Sequence, residues 1–298
     1  MTIVVSGASG LIGTALVEAL RRDGQRVIEL VRRAPTGRDE VRWDPAAHQL
    51  DPAVVSGTDA VIHLAGAGVS DRRWSAAYQA QVLDSRVDGT TTIATAIAKA
   101  DQPPPVLLSS SAVGWYGDTG DRVVGEDDPA GAGFLADVCR AWEAASTPAA
   151  DAGARVVLLR TGMVLSQSGG LLGKVRPLFK AGLGGRLGSG RQYLPWISLR
   201  DEVAAIQFLL AAEGVAGPVN LTGPDPATNA EFTAELARQL HRPALFAVPP
   251  FALRIVLAGF ADEGVLAGQR AIPAVLTQHG FNFTDPTLAD ALRYALGH

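Results

Sequence analysis

The stretch VVSGASGLIG at residues 4–13 constrains this chain more than any other, because the hydrophobic period changes across it around three glycines. Thr2 to Ser6 is a short apolar, β-branched run of the kind that parallel sheets bury on both faces. From Leu11 onward, Leu11, Ile12, Ala15, Leu16, Ala19 and Leu20 recur with helical spacing. Strand, tight turn and helix are the local architecture. Gly7, Gly10 and Gly13 punctuate it as G-x-x-G-x-x-G: the first permits the turn, the second lets a ligand approach the backbone, and the third lets helix and strand pack closely. The helix start then offers unpaired amides and a partial positive charge, which suits a pyrophosphate. Gly7, Ser9, Gly10, Leu11, Ile12 and Gly13 are the candidate contacts.

The second strand, Arg26 to Val31, ends in Arg32 and Arg33, where an NAD-binding unit would carry an acid for the ribose 2′-hydroxyl. No acid stands there. Two guanidiniums suit a 2′-phosphate, so NADP(H) is the expected cofactor; a solvated basic pair is the plainer alternative.

The alternation continues with strands at Ala60 to Leu64, Val106 to Ser109 and Arg155 to Leu159, and helices over about 75–99 and 133–150. This pattern predicts an α/β fold: a doubly wound parallel Rossmann sheet with a smaller, mostly helical C-terminal lobe. Residues 1–165, completed by about 200–224, form the expected nucleotide-binding domain, and 166–199 with 225–298 the substrate-side lobe. Ligands of such sheets bind at the carboxyl ends of the strands. Those ends carry Leu64, Ala65 and Gly66, then Ser109, Ser110 and Ser111, then Arg160, and turn chemistry explains part of that composition equally well. Lys174, Arg176, Arg186, Arg191 and Gln192, in the glycine-rich basic stretch that follows, face a substrate or merely solvate a lid.

Composition narrows the class. One cysteine, Cys139, excludes an internal disulfide framework, and His48, His63, His241, His279 and His298 have no metal-ligand spacing, so no metal is expected. A net charge of -4 without a basic run argues against nucleic acid. No stretch reads as a signal peptide or membrane span, so a cytoplasmic protein is expected, without membrane partners. A homodimer is possible, although no exposed apolar stripe specifies one.

Further marks are Trp43-Asp44-Pro45, HLAGAGV at 63–69, RRW at 72–74, Ser85-Arg86, SSSAVGWYG at 109–117, Trp142-Glu143, RTGMVLS at 160–166, GGRLGSGRQYLPWIS at 184–198, GPVNLTGP at 217–224 and GFNF at 280–283. With the glycine turn they resemble the atypical extended short-chain dehydrogenases/reductases, in the epimerase-family branch that ends in a domain of unknown function. The resemblance implies that Arg86 faces the cofactor and that Ser111 orients a substrate oxygen. It also implies a Tyr-x-x-x-Lys pair, in which lysine lowers the tyrosine pKa. The residues four beyond Tyr78, Tyr116, Tyr193 and Tyr294 are Val82, Gly120, Ile197 and His298, and none is lysine. Aligning Glu143 with the glutamate that follows the pair puts Leu135 and Cys139 at its two positions, on a core-like stripe with Phe134, Val138 and Trp142. Cys139 then reads as a small buried hydrophobe. Tyr116 is the remaining candidate proton donor, on a loop five residues after Ser111.

These features predict an NADP(H)-dependent oxidoreductase or epimerase acting on a small, sugar-like substrate, with Ser111 and Tyr116 as its catalytic candidates. The alternative is a catalytically inactive NADP(H)-binding redox sensor.

Overall fold

The first strand, β1 (Thr2–Ser6), sits inside a sheet because it carries apolar side chains to both faces: Ile3 and Val5 to one, Val4 to the other. The computed structural model, which describes residues 1–166 and 169–297, adds β2 (Arg26–Val31), β3 (Glu40–Arg42), β4 (Ala60–His63), β5 (Val106–Ala112), β6 (Arg155–Thr161) and β7 (Gly217–Leu221). All seven are parallel, in the order β7-β6-β5-β4-β1-β2-β3. The order reverses at β1, and the crevice between the carboxyl ends of β1 and β4 is where a doubly wound sheet takes its ligand.

Helices cover both faces. On one side α1 (Leu11–Arg22) packs Leu16, Val17 and Leu20 against the sheet. On the other lie α2 (Ala76–Ala98), which buries Ile93, Ala94 and Ile97, and α3 (Phe134–Ala144). Ser75 starts α2 by accepting from the Tyr78 amide at 3.2 Å. The helix expected over 133–150 is two: α3 stops at Ala144, and a separate turn runs Thr147–Asp151. The strands expected to end at Ser109 and Leu159 run on to Ala112 and Thr161, which brings Ser111 and Arg160 into adjacent register.

The second lobe holds α4 (Gly170–Lys180), α6 (Asn229–Leu240) and α8 (Leu288–Leu296) around Leu172, Phe179, Trp196, Phe232, Leu236 and Leu292, with α7 (Pro250–Leu257) outside that cluster. Between β6 and β7, α5 (Leu199–Ala211) returns to the sheet. Asp201 at its start accepts from the amides of Thr284 (2.8 Å) and Asp285 (2.9 Å), while Phe208, Phe281 and Phe283 stack edge to face. The GFNF stretch thereby fastens the second lobe to the first. Leu245, Phe246, Phe251, Ile255 and Val256 are exposed around α7, an apolar surface that the sequence reading did not single out.

Candidate functional site

The glycine turn is enforced by contact. Gly7 has φ +73, and a Cβ there would lie 2.7 Å from the Leu64 carbonyl carbon. A Cβ at Gly13 would lie 2.1 Å from the Gly7 oxygen, so no larger residue fits without moving backbone. Gly10 caps α1 without any side-chain bond, which leaves the first amides of the helix, at Leu11, Ile12 and Gly13, for a ligand. Ser9 and Gly10 are exposed beside them. This is a cradle that fits a dinucleotide pyrophosphate.

Beyond β2 the two arginines differ. Arg33 is forked onto Glu40 at 2.7 and 2.5 Å, and the bond holds the Glu40 carboxyl well below its usual range. Arg32 is exposed and pairs with no group among the described residues. At the end of β4, His63 is fully buried with Nδ1 2.6 Å from Ser6 Oγ, and burial lowers its pKa to about 3, so it is neutral. The next residues, Leu64, Ala65 and Gly66, lie half-buried to exposed beside the glycine turn.

Arg86 comes to this edge from α2. Its Nη1 donates to Ala67 O (2.9 Å) and Val82 O (3.0 Å), and its guanidinium lies 4.8 Å from the Trp142 ring. Burial pushes its pKa below the usual value.

At the end of β5 the side chains form one buried chain. Ser111 Oγ donates to Glu143 Oε1 at 2.6 Å. Both Glu143 oxygens accept from Arg160, at 2.8 Å from Nε and 3.0 Å from Nη2. Arg160 Nη1 then donates to the Tyr116 hydroxyl (3.1 Å), which donates to Asn220 Oδ1 (2.8 Å). Trp115 closes the guanidinium's face at 4.0 Å.

Two expectations are corrected here. Arg160, 3% exposed, is the counter-ion of Glu143 and offers nothing to a cofactor. Tyr116, 1% exposed, has its hydroxyl engaged on both sides, and burial raises its pKa further, so it is a strut of the network and no proton donor to a crevice. Gln192 likewise serves structure, donating to Leu187 O and Val265 O. Ser109 is 1% exposed with an unpartnered hydroxyl, and Ser110 is half-buried. Lys174 reaches from α4 to Ser70 at 3.0 Å, joining the lobe to the loop after β4.

Leu135 and Cys139 are core residues as expected, Cys139 at 3% exposure with its thiol pushed up to about 11 by burial. Glu143 and Asn220 are the partners that sequence reasoning missed as site residues; the Trp142-Glu143 and GPVNLTGP marks held them, without a spacing that pairs them. Among the described residues no group of three His, Cys, Asp or Glu could hold a metal, and no helix is long and apolar enough to cross a membrane; His298 lies outside the described residues.

A seven-stranded parallel sheet with a glycine turn at its point of reversal defines a Rossmann-type nucleotide-binding protein. Residues 3–222 match the NAD dependent epimerase/dehydratase family, to which this chain belongs, and residues 248–295 match a domain of unknown function, DUF1731. An epimerase family protein of Mycobacterium bovis, Mb2239, is 50% identical over 98% of this chain and 97% of its own. The crystal structure of human epimerase family protein SDR39U1 (isoform 2) with NADPH is 34% identical and superposes over all of both chains with a TM-score of 0.92. A nucleoside-diphosphate sugar epimerase from Corynebacterium glutamicum, 33% identical, matches all of this chain and 58% of its own with a TM-score of 0.83.

Proposed function

We propose that this protein is an NADP(H)-dependent oxidoreductase or epimerase acting on a small, sugar-like or anionic substrate. The observation that carries the reading is the uncapped start of α1 beside an exposed Arg32, unpaired among the described residues, at the end of β2. The likeness to the NADPH-bound human structure supports the choice of NADP(H). The amides of Leu11, Ile12 and Gly13 would hold the pyrophosphate, and Arg32 the 2′-phosphate by charge-assisted hydrogen bonds. When bound, the nicotinamide supplies or accepts a hydride. Ser111, whose proton is committed to Glu143, offers its lone pairs to a substrate hydroxyl.

The filling of positions 135 and 139 by Leu135 and Cys139 favours a second reading, a sensor that binds NADP(H) without turnover. Mass spectrometry of nucleotide released from purified protein, followed by NADPH absorbance with a carbonyl-metabolite pool, separates the two. Turnover with any fraction establishes the enzyme, and bound nucleotide that never turns over supports the sensor. Arg32→Ala is expected to weaken NADPH by about tenfold while leaving NADH nearly unchanged; equal losses refute the 2′-phosphate contact.

A further inference from the structure

β4 and β5 run side by side with His63 in register with Ser109, so the segment after β4 and Ser111 share one edge of the sheet. Arg86 lies against that segment: a Cβ placed on Gly66 would sit 3.6 Å from its Cγ, Cζ and Nη1. Only Nη1 is used, by Ala67 and Val82, while Nε and Nη2 donate to no described group. Neither nitrogen is among the buried atoms sealed without a partner, so neither is closed off from solvent. No carboxylate of a described residue pairs with Arg86 either. Arg160, buried to a similar degree, shows how this protein treats a structural cation: Glu143 matches it on two nitrogens. A buried charge without a counter-ion is costly, and Arg86 keeps its fork open where a ligand would lie.

The neighbours define the role. Cys139 Sγ donates to Ala112 O at 3.5 Å, next to Ser111. Position 139, one turn before the Trp142 that Arg86 lies over, therefore sits beside the end of β5, and it carries no ammonium. Ser111 commits its hydroxyl hydrogen to a hydrogen bond with Glu143, and Tyr116 is locked inside the network. The edge holds one open cation and, among these side chains, no other uncommitted donor.

We propose that Arg86 binds a carboxylate of the substrate beside Ser111. It does so from α2, while α3 carries Cys139 and no cation at position 139. Nε and Nη2 form the planar fork that meets two oxygens at once. The proposal rests on the NADP(H) reading and narrows its substrate to one that presents a carboxylate beside the nicotinamide.

Oxalate, a small rigid dicarboxylate, is the probe. Calorimetry of oxalate into the NADPH-saturated wild-type protein is expected to show binding. Arg86→Gln is expected to weaken it about tenfold or more and Arg86→Lys, which keeps charge but loses the fork, by less, while NADPH affinity moves by no more than about threefold. Absence of oxalate binding to the wild type overturns the proposal whether or not the variants fold. So does unchanged binding in Arg86→Gln. A tenfold loss of NADPH affinity in Arg86→Gln would assign the guanidinium to a cofactor phosphate and overturn it equally. If NADPH itself does not bind the wild type, the functional reading fails alone, since oxalate titrated into the nucleotide-free protein still tests Arg86.

Discussion

At the scale of single residues, this protein treats charge according to depth. Arg33 and Glu40 pair at the surface, where such pairs contribute little. Arg160 and Glu143 pair in the core, 3% and 9% exposed, where removing one partner strands the other. Arg160→Met is expected to destabilise the protein by about 3–5 kcal/mol in urea unfolding, because Glu143 would remain buried and unmatched. A loss below about 1 kcal/mol would show that water reaches Glu143. Glu202 presents the opposite case. It is fully buried, Oε1 accepts from Thr161 at 3.0 Å, Oε2 has no partner, and burial raises its carboxyl to about 8. Its folded pKa lies above the unfolded value of about 4.3, so the folded state holds a proton that the unfolded state has lost. Its effect on stability therefore worsens as pH rises from about 4.3 to about 8, by about 1.4 kcal/mol per unit, and is level above that. Glu202→Gln is expected to flatten that slope in unfolding measured between about pH 5 and pH 9. An unchanged slope would assign the proton elsewhere.

At the scale of elements, α2 and α3 face each other across the floor of the crevice and divide the roles. Tyr78 and Val82 of α2 meet Phe134 and Leu135 of α3 in one apolar cluster, and one turn further Arg86 lies over Trp142. The apolar stripe on α3 was legible in the sequence, since its spacing is local to one helix. That α2 brings the guanidinium over Trp142 of α3 was not, because it depends on how two helices far apart in sequence pack. Cys139 reports on this packing. With 3% exposure and a thiol at about 11, it is expected to resist alkylation at about pH 8 in the native protein and to react at once in denaturant. Fast native modification would mean that α3 leaves α2 readily.

At the scale of the whole molecule, two lobes meet through the Asp201 bonds to the Thr284 and Asp285 amides, the phenylalanine cluster, and Lys174 on Ser70. A nucleotide held at the carboxyl ends of the strands binds only the folded sheet, so NADPH is expected to stabilise the entire protein. At about a hundred times its dissociation constant it adds about 2.7 kcal/mol, readable as a raised denaturation midpoint. A midpoint that does not move with NADPH would contradict the dinucleotide site.

The sequence by itself determined the parallel α/β sheet and the glycine turn after its first strand. Both rest on short-range rules: the change of hydrophobic period at residues 4–13, and three glycines that only a close backbone approach explains. It also determined that no Tyr-x-x-x-Lys pair exists. Only the tertiary structure decided which charges are matched. Arg160 and Tyr116 stand beside candidate residues in the chain, yet β5, β6 and β7 turn them into a sealed network with Glu143 and Asn220. Arg32 and Arg33 are equivalent as letters, and the fold of the segment to Glu40 separates them. Arg86 looks like any helical arginine until packing buries it without an acid. Local pattern dictates where backbone goes, whereas the fate of a charge depends on partners that only the assembled sheet and helices bring within hydrogen-bonding distance.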